Sequence, residues 1–451
     1  MRPALKEAHV HLAQIFPNKF ENGQSSNFSK VNTGEESGFY KYDPETKQQS
    51  MIWSPKGKNL SVKAKQQKSA TKVMMSVYFT RSKSVAAIPL EKGQTVTVSV
   101  TVETWYERST AKNMYNFPFE IKEVEPQLNA ELLRYFKGER TGFVQVGPEK
   151  YFFPHKYKVE AENFYNFQAR PSDIWVASFP RSGTTLTQEL VWLLENNFDF
   201  KTANRLSLRD RFPFFEFSLF VHPEIKVELL SENANDKGQQ DFIEHFSAPG
   251  YETLNSWPLN KKRFIKTHFP FSLMPPSVLK EKCKIVYVAR NPKDVAVSYY
   301  HLNRLFRTQG YVGDFTRYWD YFSRGLNPWL PYCSHLKEAY AHNHLSNLLI
   351  LNYEEMVSDL SGVIRKVAEF LDTTISTVGL KDLTEHLDIK NFRKNAAVNG
   401  SKMADIGVLQ KGAAGFIRKG GYGNREELES NYELKKQIDQ WIEKNLVKSI
   451  E

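Results

Sequence analysis

Arg181, Ser182, Gly183, Thr184 and Thr185 put a guanidinium, three hydroxyls and a glycine into five residues, directly after the apolar run Asp173–Phe179 and Pro180. Pro180 stops that run, and Gly183 lets the backbone approach an anion closely. Thr184 and Thr185 then open a helical pattern whose free N–H groups, backed by the helix dipole, suit a phosphate or sulfate. No G-x-x-x-x-G-K-[ST] sequence is present, so the turn is not the ATP-binding loop of that type. In Arg263-Phe-Ile-Lys-Thr-His268, Lys266 and His268 share one face of a short strand. An imidazole there suits proton abstraction near neutral pH, and the ammonium can neutralise a nearby anion. Lys284-Ile-Val-Tyr-Val-Ala-Arg290 leads into a segment carrying Ser298, and Phe416-Ile-Arg-Lys-Gly420 offers two more cations beside a glycine. Taken singly, each has a plainer reading: a strand-to-helix turn, a core histidine, a surface lysine, a solvated turn.

The elements that must hold these residues follow from hydrophobic period. Apolar runs at 173–179, 263–268, 284–290 and 347–353 read as strands, alternating with amphipathic stretches such as 184–196 and 355–371. Pro292 falls at the start of a helix, where its missing N–H is harmless. Continuous apolar strands with helical crossovers predict an α/β fold, a parallel sheet covered by helices on both faces. Ligands of such sheets sit beyond the carboxyl ends of the strands, where Arg181, Lys266, His268 and Arg290 fall. The polar stretch from Ser231 to Gln240 reads as a surface loop.

The chain has 451 residues, 41% of them hydrophobic and 14% aromatic, ample for one large core and a second segment. Two cysteines, Cys283 and Cys333, make no disulfide framework and no metal-ligand spacing, so a reducing, cytoplasmic setting and no metal are expected. No run of 18 apolar residues and no signal-peptide core occur, so no membrane association is expected. The net charge of +10 is uneven. Residues 1–113 hold 17 Lys and Arg against 9 Asp and Glu, and the remaining residues hold 44 against 42. Basicity therefore gives no reason to expect nucleic acid as a partner of the larger part.

In order and spacing, the loop at 180–185, the strand ending in Lys266 and His268, the Arg290–Ser298 segment and the late Phe416–Gly420 motif resemble the cytosolic sulfotransferases, particularly those of insects. The likeness runs from about residue 116 to the end and includes Thr141-Gly-Phe-Val-Gln-Val-Gly147 and Tyr151-Phe-Phe-Pro154. The resemblance implies a P-loop-like sulfotransferase fold over residues 114–451 and transfer of a sulfuryl group from 3′-phosphoadenosine 5′-phosphosulfate (PAPS) to a hydroxyl or amine. It implies His268 as general base, Lys266 on the transferring group, and Arg181, Ser182, Gly183, Thr184 and Thr185 around the 5′-phosphate. Many relatives carry Lys at the position of Arg181; Arg does not readily give up its proton, so here it is read as an electrostatic clamp. The 3′-phosphate falls to Arg290, Ser298, Arg418, Lys419 and Gly420, and the adenine to Tyr353. Leu208-Arg-Asp-Arg-Phe-Pro-Phe-Phe-Glu216 matches the segment beside the acceptor, so Phe212, Phe214, Phe215 and Phe217 are candidates to line a pocket for a hydrophobic phenol or alcohol. Ordinary core is the equal alternative for those rings.

Three departures stand against that pattern. Leu186 replaces a tryptophan and Leu387-Asp-Ile389 replaces Thr-Ser-Phe, which removes two rings from the adenine pocket; Phe392 and Phe416 are candidates to restore part of the stack. After Gly423 the relatives' Asp-Trp-Lys and their dimerisation segment have no counterpart, so the usual homodimer is in question. Within the first 113 residues, about residues 31–105 resemble part of a mariner-type transposase catalytic domain, in Thr33-Gly-Glu-Glu-Ser37, Tyr42–Ser50, Lys72–Tyr78 and Glu91–Thr97. That resemblance implies a partial RNase H-like sheet with Glu35 where the first metal-binding Asp is expected. Its other carboxylates are missing, so no two-metal nuclease activity is expected. A nucleotide or apolar-ligand binding protein without turnover, a DNA-binding transposase relative and, more weakly, a phosphate-loop kinase are the alternatives left open by sequence.

Overall fold

In a computed structural model the protein divides into two compact units, Met1–Met114 and Tyr115–Glu451. The structure describes residues 115–410, 415–417, 421, 423, 426–429 and 431–447, together with the backbone of three strands nearer the N-terminus. Those three, β1 (Asn32–Tyr40), β2 (Lys72–Phe79) and β3 (Ser84–Pro89), pair antiparallel in the order β1-β2-β3, and Glu35 stands opposite Val77.

The second unit is built on four parallel strands. They are β7 (Ile174–Ser178), β8 (Phe264–Thr267), β9 (Lys284–Ala289) and β10 (Leu348–Asn352), in the order β10-β9-β7-β8. Each expected strand is present, shortened by one or two residues. A small antiparallel sheet, β4 (Ile121–Glu123), β5 (Phe143–Val146) and β6 (Tyr151–Pro154), precedes them. Because strand side chains alternate, the apolar runs feed two cores at once. Trp175, Ala177, Ile265, Ile285 and Tyr287 lie in one, and Ile174, Val176, Phe264, Val286 and Val288 in the other. The Thr184–Glu195 helix buries Leu190, Val191, Leu193 and Leu194 against the second core, so the turn before it is pinned at both ends.

Two helices occupy the region expected to form one, Tyr353–Ser358 and Leu360–Phe370, broken at Asp359, whose carboxylate caps the second through the Gly362 N–H. The Pro292–Leu305 helix starts with Pro292 in its first turn behind the Asn291 cap. Ser231–Gln240 is not a loop. It joins the Pro223–Glu232 and Lys237–Ser247 helices, because Asp236 caps the second at the Gln239 N–H and Phe242, Ile243 and Phe246 supply an apolar face. Among the described residues no helix is long and apolar enough to cross a membrane.

Candidate active site

Strands β7, β8, β9 and β10 all end at the same edge, and there the chain forms a cleft of about 1050 Å³ lined by Arg181, Gly183, Lys266, His268, Arg290, Ser298 and Tyr353. The loop after β7 is shaped for an anion. Arg181 and Gly183 both have positive φ (70° and 106°), a turn of the kind in which successive backbone amides form anion-binding concavities. A Cβ on Gly183 would stand 2.6 Å from the ring of Tyr353, so only glycine fits between loop and tyrosine. The Ser182 hydroxyl is buried without a hydrogen-bond partner, as is Nε of Arg290. Buried orphan polar groups are costly. These two, among arginines and helix-start amides, fit a phosphate-bearing ligand such as PAPS.

The cations are already oriented. Arg181 donates from Nε to Ser298 Oγ (2.9 Å) and from Nη1 to the Phe416 carbonyl (3.1 Å), and its guanidinium lies over the Phe416 ring. Arg290 stacks on Tyr353, 4.0 Å from the ring centre, and donates to the carbonyls of Arg181 (2.8 Å) and Gly421 (3.2 Å). The first, third and fourth motifs therefore meet in space, although they span over two hundred residues. Arg418, Lys419 and Gly420 lie outside the described residues.

His268 sits where β8 ends, buried, with Nδ1 2.6 Å from the carbonyl oxygen of Ser178. A carbonyl only accepts, so Nδ1 carries the proton and Nε2 carries the lone pair. Burial, with the charge of Lys266 added, holds the imidazole well below its ordinary range, so it is neutral at pH 7. Lys266 is pushed down to about 7, mainly by burial, with the nearby Glu216 carboxylate opposing. Its ammonium lies 4.1 Å from the centre of the Phe214 ring. Ser178 Oγ also lies 2.7 Å from Thr184 Oγ1, which ties His268, Ser178 and the helix start together.

Sequence reasoning passed over Glu216 and His335. The buried Glu216 carboxylate accepts from the His268 N–H (2.6 Å), Thr267 Oγ1 (2.9 Å) and Trp329 Nε1 (3.1 Å), and burial raises it to about 7. On the other side His335, held down to about 4 by burial, lies with Nε2 2.9 Å from the His268 carbonyl. Glu216 closes a quoted motif, and its position beside four aromatics was the one signal available; nothing near His335 marked it.

The four phenylalanines do not line one pocket. Residues 213–215 run beside β8, with Lys266 N donating to the Pro213 carbonyl and Phe215 N to the Lys266 carbonyl. Extended backbone sends neighbouring side chains to opposite sides. Phe214 therefore meets the His268 ring at 5.0 Å, whereas Phe215 packs in the core on Phe167 and Trp175. Phe212 packs in the other core on Phe264. Phe217 is buried against Phe246 and Phe306, 5.6 Å from Phe214. Trp329, missed in the sequence, stands 5.2 Å from the imidazole and completes the aromatic wall with Phe214. Leu186, Ile389, Phe392 and Phe416 also line the cleft; Phe392 is itself core, and Phe416 sits by Arg181 and Phe306.

Comparison with known proteins agrees with this geometry. A family model described as a sulfotransferase domain matches residues 171–449. Luciferin sulfotransferase of Photinus pyralis is 37% identical over 311 residues, 67% of this chain and 80% of that protein. Human sulfotransferase 4A1 is 31% identical over 246 residues, 52% of this chain and 75% of the relative. Crystal structures of retinol dehydratase, one with androsterone and inactive cofactor PAP and one with retinol and PAP, share 38% identity at a TM-score of 0.68. They cover 74% of this chain, matching 97% and 98% of theirs. With a family match that spans the loop after β7, the strand carrying Lys266 and His268 and the Arg290–Ser298 helix alike, the chain belongs to the sulfotransferase family.

Proposed function

We propose that this sulfotransferase transfers a sulfuryl group from PAPS to the hydroxyl, or an amine, of a small hydrophobic acceptor, with His268 as general base. The observation that carries the reading is the Nδ1–H bond of His268 to Ser178, which leaves a neutral Nε2 at the strand edge beside Lys266 and the anion loop. The relative named for luciferin and the neighbours holding retinol or androsterone support an apolar hydroxylated acceptor, as does the wall of Phe214 and Trp329.

PAPS supplies the sulfuryl group when bound. The Ser182, Gly183, Thr184 and Thr185 segment and Arg181 hold the 5′-phosphate end, Arg290 and Ser298 the 3′-phosphate, and Tyr353, Leu186 and Ile389 the base. His268 takes the acceptor proton at Nε2, and Lys266 stabilises negative charge on the transferring group. Arg181 keeps its proton throughout and clamps the phosphate end. The further site assignments, Arg418, Lys419 and Gly420, are the family's 3′-phosphate contacts read onto this chain.

The test is transfer from labelled PAPS to a panel of phenols and alcohols, beside the His268→Ala variant. Transfer lost in the variant with nucleotide binding kept supports the base; transfer undiminished in the variant overturns it. The shortened adenine wall at Leu186 and Ile389 favours one second reading, a nucleotide-binding protein without turnover, which nucleotide binding with no transfer by the natural chain would establish. We read residues 1–113 as a truncated mariner transposase-like segment and residues 114–451 as the catalytic domain; the quoted motifs support that reading. Two free, buried cysteines support a cytoplasmic setting.

A further inference from the structure

His335 takes no part in the chemistry above, yet it is fully buried behind the base. It begins its path from Tyr287 on β9, whose hydroxyl lies 2.8 Å from His335 Nδ1. The opposite nitrogen, Nε2, lies 2.9 Å from the carbonyl oxygen of His268. A carbonyl accepts only, so Nε2 is the protonated nitrogen and Nδ1 accepts from the tyrosine. The polarity of the chain Tyr287–His335–His268 is thereby fixed in one direction. On the other side of the same residue, Glu216 accepts from the His268 N–H at 2.6 Å, and Ser178 takes the imidazole itself.

From this we infer that His335 is a positioning residue for sulfuryl transfer: it holds the His268 peptide from behind while Glu216 holds it from the front, and so fixes where Nε2 meets the acceptor. Strand β8 ends at Thr267, so past that point the ladder no longer holds the base. Side chains must replace the ladder, and His335 replaces it on the carbonyl side. It brings this restraint from the Tyr332–Ala341 helix, outside the sheet, and Tyr287 locks its ring. The inference rests on His268 being the base.

Two near-isosteric variants separate positioning from packing. The amide nitrogen of Gln can stand where Nε2 stands, so His335→Gln keeps the donor to His268; Asn places its amide near Nδ1, so His335→Asn keeps the link to Tyr287 and loses the one to His268. A misplacement near 1 Å at the reacting atoms costs on the order of 100-fold in rate. His335→Asn should therefore lose about ten- to a hundred-fold in kcat, with nucleotide affinity and acceptor KM within about two-fold of the natural chain, and His335→Gln should recover most of the loss. Equal activity in the two variants, or a loss carried by nucleotide affinity, overturns the inference. The His268→Ala variant in the same series keeps the readings apart: if it retains transfer the base assignment fails, and if it alone loses transfer only the role of His335 fails.

Discussion

At the residue scale the proposed site sets Lys266 and His268 against one aromatic wall. Under the proposed mechanism Lys266, near 7, must be charged to meet the transferring group, and the His268 imidazole must be neutral. Since His268 is held well below its usual range, the acid limb of the rate profile is displaced downward, and the alkaline limb belongs to Lys266 losing its proton. Glu216 is what holds the lysine up, so Glu216→Gln removes a negative neighbour and favours the neutral amine. The alkaline limb of kcat/KM for the donor should then move to lower pH; a shift upward, or none, would separate Glu216 from the lysine. Gly183 offers a second prediction at this scale. Gly183→Ala sets a methyl 2.6 Å from Tyr353 at a φ of 106°, strain of about 1–3 kcal/mol before any ligand binds. Nucleotide affinity measured by calorimetry should fall at least about ten-fold, a change of about 1.4 kcal/mol.

At the element scale, what was legible in the sequence was what burial imposes on both faces of a strand. Ile174–Ala177 and Ile285–Ala289 read as strand because alternate residues go to two separate cores, leaving no charged position inside either run to confuse the period. The loop and His268 were legible because they are short motifs fixed to strand ends. The Phe212–Phe217 run was not, since four similar rings sort into pocket and core only once the pairing of 213–215 with β8 is known. Ser178 acts through its backbone carbonyl, and Glu216 and His335 act across long sequence distances, so neither type of contact leaves a local pattern. The starts of β7 and β8 carry a further prediction. Arg263 grips Asp173 with two bonds, 2.8 and 2.5 Å, both side chains buried, at the end of the sheet away from the cleft. Asp173→Ala strands a buried guanidinium and should lower unfolding stability by about 3–5 kcal/mol in denaturant titration. Replacing Leu186 by Trp and Ile389 by Phe, which line the cleft, should tighten nucleotide binding by about 0.5–1.5 kcal/mol for each ring.

At the scale of the whole molecule, the contacts described around the cleft fall within one unit. Every contact placed around the cleft, from Ser178 through Phe416 to Gly421, joins residues of the Tyr115–Glu451 unit. That unit has its own cores on both sheet faces, and the antiparallel strands β4 to β6 begin within a few residues of Met114. The C-terminal residues belong to it as well. Leu428, Leu434 and Ile438 are buried in the first core, Trp441 meets Trp319 edge-on, and His301 and Lys293 pair with Glu427 and Asp439. A chain of residues 114–451 should therefore keep the sulfate transfer of the full protein, with kcat and both KM values within about two-fold. Residues 1–113 carry an excess of positive charge, and salt screens the field of such charge beyond about 8–10 Å. Any difference between the two chains should therefore shrink as ionic strength rises. A shortened chain that binds the nucleotide but no longer transfers, at any salt, would mean that the first 113 residues complete the site, and the division of the protein proposed above would fall with it.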